Sequence, residues 1–146
     1  MAEVETIVKN AIKAKLDSLV PATLKEVQMD DFKVSDIFDR DIGAYPAAIL
    51  ISPNIDRSDV ITNRDNIIEF TYEVIIIQKA DDVTTATQLE ELRGAIFRTF
   101  DNDPTLGGAA DAGVEPSISP TTRVDRAKSF IVFSLIIKAK SFYTRP

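Results

Sequence analysis

From Ile67 to Gln78 the even positions Ile68, Phe70, Tyr72, Val74 and Ile76 are all apolar, while the odd ones begin polar with Glu69, Thr71 and Glu73. Alternation with period two is the signature of a strand with one face on a core and the other in solvent. The odd positions then turn apolar at Ile75 and Ile77, so the far end of this strand must be covered on both faces, by a helix of its own chain or by another subunit. A second long segment, Ser129 to Phe142, behaves the same way. It has Ile131, Phe133, Leu135, Ile137 and Ala139 on one face, and Phe130, Val132 and Ile136 on the other, before that second face turns basic at Lys138 and Lys140.

Helical periodicity appears twice. Val4, Ile7, Val8, Ala11, Leu16 and Leu19 follow three-and-four spacing and predict an amphipathic helix over residues 3–20, ended by Pro21 because the residue before a proline is pushed out of the helical region. Leu89, Leu92, Ile96, Phe97 and Phe100 predict a second helix. Thr85-Ala86-Thr87-Gln88 opens it as a capping box, and Asp101-Asn102-Asp103-Pro104 stops it. Shorter strands are expected around Val27, Met29 and Phe32, from Tyr45-Pro46 through Ala47 to Ile51, from Val114 to Ser119 and from Thr121 to Val124. Ser52-Pro53-Asn54 reads as the break after the Ala47 strand, and the polar run from Ile55 to Asn66 as a long connection or a projecting hairpin. No βαβ alternation and no internal repeat appears. The expectation is one α+β domain over residues 1–146, with a mainly antiparallel sheet carrying two helices on one face in the order α-β-β-α-β-β.

A chain of 146 residues buries roughly 68–70% of its unfolded surface, enough for a core without metal or disulfide staples. Two strands that are apolar on both faces, in a chain with only two helices, leave more apolar surface than such a core needs. That surplus predicts an interface at Ile75, Ile77, Phe130, Val132 and Ile136.

Charge adds to this picture. The net charge is −6, yet residues 121–146 hold six basic side chains against Asp125 alone, which leaves −11 on the first 120 residues. Lys138 and Lys140 therefore belong either to a solvated basic face or to a polarised surface that meets an acidic patch on a neighbouring copy or tracks a polyanion. The overall acidity argues against a dedicated nucleic-acid binder.

Candidate chemistry is sparse. With no cysteine and no histidine, the chain lacks a thiol nucleophile, a zinc-thiolate site and the commonest general base. Asp101-Asn102-Asp103 resembles the start of a calcium loop, but Leu106 stands at its glycine position and Ala112 at its final glutamate. Gly107-Gly108 lacks the lysine and hydroxyl residue of a phosphate loop. Asp30, Asp31, Asp36, Asp39 and Asp41 lie in a polar run rather than an apolar pocket, and read as a solvated loop more readily than as paired catalytic carboxylates. Phe130, Phe142 and Tyr143 near lysines have the composition of a base-stacking platform, but a strand with core aromatics and basic outward residues explains them better. No metal, cofactor or catalytic set is expected. The N-terminus is acidic where a signal peptide would be basic, and no apolar run is long enough to span a bilayer, so the expected location is the cytoplasm, with no membrane partner.

The segment from Leu92 to Asp111, with Phe97, Phe100 and then Asp103-Pro104-Thr105-Leu106-Gly107-Gly108-Ala109-Ala110-Asp111, resembles the stretch after the second helix in bacteriophage tail-terminator (tail-completion) proteins. The element order is similar to that family across most of the chain. The resemblance implies a virion protein, assembled in the host cytoplasm as a ring of six copies. Such a ring caps the tail-tube protein, ends tube polymerisation and presents its other face to a head connector or stopper protein, with sheath protein as a further neighbour in a contractile tail. DNA would only pass through the lumen, which is then expected to be acidic or mixed, since every neutralised phosphate adds affinity and hinders sliding. The loop Asp103, Pro104, Thr105, Leu106, Gly107 and Gly108 would meet a neighbouring subunit or the tube. Other readings of the same features are a different neck component, a homo-oligomeric binding module unrelated to phage, and an enzyme using carboxylate or lysine chemistry.

Overall fold

A computed structural model describes residues 2–20, 22–30, 43–60, 65–79, 86–125 and 129–144. For residues 2–5, 30, 52–60, 65–66, 86–87, 124–125 and 143–144 it gives the course of the backbone alone. Along the chain run α1 (Ala2–Asp17), β1 (Glu26–Asp30), β2 (Ala47–Val60), β3 (Asp65–Lys79), α2 (Ala86–Asp101), β4 (Gly113–Ile118), β5 (Thr122–Asp125) and β6 (Ser129–Thr144). The fold is α+β and mostly sheet, as the periodicities predict. Thr85, Pro21, Phe32 and the acidic run at Asp31, Asp36, Asp39 and Asp41 lie outside the described residues.

One six-stranded sheet runs in the order β1-β2-β3-β6-β4, with β5 also on β6. Its long strands β2, β3 and β6 are antiparallel neighbours, and β4 and β5 follow one another along the far edge of β6. Between them the chain bends at Ser119-Pro120. There the Ser119 hydroxyl accepts from the Ser134 N–H at 2.8 Å and the Arg93 side chain donates to the Ser119 carbonyl at 2.8 Å. The exception to antiparallel pairing is β1, which lies parallel to β2.

Two boundaries differ from expectation, each for a local reason. Helix α1 ends at Asp17, before Pro21 can act. The Leu19 N–H bonds back to the Leu16 carbonyl and the Val20 N–H to Asp17, a tightened turn of i→i+3 bonds. Ser52-Pro53-Asn54 does not end a strand. It is a β-bulge, because β2 advances three residues from Ile51 to Asn54 while β3 advances two, from Glu73 to Thr71. A bulge leaves one residue out of the ladder, and a proline, with no N–H to give, is tolerated there. A second shift follows between Ile55 and Arg57, so β2 and β3 form the long hairpin that the Ile55–Asn66 segment offered as one of its two readings.

Both helices pack on one face of the sheet. Val8, Ile12 and Leu16 of α1 and Ile96 and Phe100 of α2 are fully buried against Ile68, Phe70, Tyr72, Val74 and Ile76 of β3 and Phe133, Leu135, Ile137 and Ala139 of β6. Register explains why those sets meet: Val74 lies opposite Leu135, Ile76 opposite Phe133 and Tyr72 opposite Ile137. In α1 the stripe centres on Val8, Ile12 and Leu16, so Ile7, one residue earlier and 100° around the helix, is 48% exposed.

Candidate assembly surface

The loop after α2 begins as an ordinary helix end and becomes something less common. The Asn102 and Asp103 N–H groups close on the carbonyls of Arg98 and Phe100. The chain then takes positive φ three times in succession, at Leu106 (51°), Gly107 (67°) and Gly108 (96°). The turn is closed by the N–H groups of Gly108 and Ala110, which both donate to the Thr105 carbonyl, at 3.0 and 2.9 Å. A left-handed residue costs an L-amino acid roughly 1–2 kcal/mol, and glycine escapes that cost. Leu106 does not escape it, but its side chain is only 5% exposed, and burying a leucine contributes about 1.5–3 kcal/mol. Burial offsets the backbone cost.

The base of the loop is fastened at both ends. The Asp103 carboxylate accepts from the Gly107 N–H at 3.0 Å and from the Lys15 ammonium at 2.9 Å, tying the loop to the last turn of α1. The Lys15 hydrogen bond and, after it, the Gly107 N–H hold the Asp103 carboxyl below its usual range. At the other end the Asp111 carboxylate accepts from the Phe142 N–H at 2.8 Å, and the Ala112 N–H donates to the Lys140 carbonyl at 3.0 Å, stitching the loop to β6. Leu106 and Ala110 plug the main core, whereas Pro104, Gly107 and Gly108 are exposed and Asp103 and Thr105 half-buried. The nine residues of the resemblance thus make a fastened turn with an exposed tip. Beside it an open groove runs between α1 and the turn, lined by Ala11, Ala14, Lys15, Ser18 and Leu106.

The opposite face of the sheet corrects the expectation of uncovered strands. Ile49 and Ile77 are fully buried, and Ile51, Ile75 and Phe130 are 8–9% exposed, in a second apolar cluster against which Tyr45 and Val132 pack. Register brings these residues together: Ile49 faces Ile75, Ala47 faces Ile77, and Ile77 faces Val132, so the apolar ends of three strands coincide at one end of the face. The Tyr45 ring lies 5.6 Å from that of Phe130 and beneath the Lys79 ammonium at 5.1 Å, and burial, then Glu26, raises its pKa. Ile75, Ile77 and Phe130 are therefore closed within the chain. They offer no open contact, and Phe130 cannot serve as a stacking platform. Ile136 is half-buried beside Glu73.

Towards the hairpin end the same face is charged. Lys138 is exposed opposite Thr71. The Lys140 ammonium reaches Glu69 at 3.7 Å and Glu115 at 3.8 Å. The basic stretch is thus laced with carboxylates of the chain's own β3 and β4, and the polarised surface expected at Lys138 and Lys140 shrinks to Lys138. Beyond it Phe142 is 52% exposed, opposite Ile67. Three-and-four spacing places Ile7 on the apolar stripe of α1, whereas a stripe centred on Val8, Ile12 and Leu16 leaves it off the core.

Among the described residues no group of three or more metal-ligating side chains comes together, and no helix is long and apolar enough to cross a membrane. No protein-family model matches the chain, and no curated protein matches it significantly.

Proposed function

We propose that this chain is an assembly subunit of a phage or prophage particle, a tail terminator whose copies close a ring, of six subunits in that family, on the end of the tail tube. The observation that carries the reading is the Asp103–Asp111 turn. The residues that resemble the tail-terminator loop form a fastened platform with Pro104, Gly107 and Gly108 facing solvent.

A ring needs a heterologous interface that joins two different patches of one subunit. Two patches of unlike character support it. On the helix face, the exposed Ile7 adjoins the groove beside Leu106; on the opposite face, Phe142 and Lys138 are exposed near the hairpin end. In this reading the chain performs no catalysis, binds no cofactor and resides in the virion. It contacts itself, the tube protein, a head connector or stopper and, in a contractile tail, sheath, while DNA passes through the lumen.

Light scattering of the purified chain, alone and mixed with its cognate tail-tube protein, tests the reading. The expected result is a closed oligomer in at least one of the two conditions. A monomer in both, up to millimolar concentration, overturns it.

A further inference from the structure

We draw no further inference here: the strongest candidate, the open groove between α1 and the Leu106 turn with the exposed Ile7 beside it, carries nothing beyond the proposed assembly because nothing in the structure shows what covers it.

Discussion

Leu106 offers a test in which glycine should outperform alanine. Its side chain is 5% exposed in the main core, and its φ is 51°. Leu106→Ala removes buried methylenes and leaves a gap, an effect worth 2–5 kcal/mol in general; the low end, about 2–3, applies here because the side chain borders an open groove into which the site can relax. Alanine keeps the left-handed penalty of roughly 1–2 kcal/mol. Leu106→Gly removes Cβ as well, and the penalty with it, at a cost relative to alanine of about 0.5–1 kcal/mol, mainly for the freedom glycine gains in the unfolded chain. The glycine variant should therefore be about 0.5–1 kcal/mol more stable than the alanine variant, the reverse of their order in a helix or strand. Urea unfolding reads this directly. With an unchanged slope of about 2 kcal/mol/M, the midpoint for glycine should lie roughly 0.25–0.5 M above that for alanine. An alanine variant equal to or above the glycine variant would refute the left-handed turn and the fastened loop built on it.

Further outcomes follow from the same structure. Gly107→Ala and Gly108→Ala should each cost about 1 kcal/mol in chemical denaturation although a Cβ at either site meets open space, because the cost is conformational; a neutral result at both contradicts the turn. Asp103 is held below its usual pKa, so its contribution to stability is complete above the unfolded carboxylate value of about 3.9 and is lost as pH falls through the lower folded value. Thermal melts between pH 2 and 7 should show a shallower acid decline for Asp103→Asn than for the native chain, and parallel curves would refute the clamp. Ile77→Ala should lower the stability of the isolated chain by about 2–4 kcal/mol, since Ile77 is fully buried within it; a loss of association without loss of stability would return it to an interface. Lys140→Ala should change stability by no more than about 0.5 kcal/mol, because its ion pairs at 3.7 and 3.8 Å are long and partly exposed.

The hydrophobic pattern revealed the sheet better than its surroundings. Alternation in β3 places Ile68 to Ile76 in the core and marks the change at Ile75, because side-chain direction in a strand follows from position alone. What covers the second face is not in that pattern. Ile75 and Ile77 look the same in sequence whether the cover comes from their own chain or from a neighbour, and the deciding fact is their burial in the single folded chain, in a cluster with Ile49, Ile51 and Phe130. Pro53 misled for a related reason. A proline that ends a strand and one that sits in a bulge leave the same local signal, and only continuation of the β2–β3 ladder past Asn54 tells them apart. The parallel placement of β1 beside β2 is a pairing of residues distant in sequence, which composition does not encode. At the candidate surface, Gly107 and Gly108 announced a turn, but the fastening of its ends by Lys15 and by the Phe142 N–H joins residues far apart in sequence. The same distance hid the pairing of Lys140 with Glu69.

Negative-stain microscopy of polymerised cognate tail tubes, with and without this chain, bears most directly on the proposed role. Bound rings at one tube end and a halt in elongation are the predicted result. Tubes that grow to the same lengths with bare ends, at chain concentrations well above that of tube ends, would contradict it.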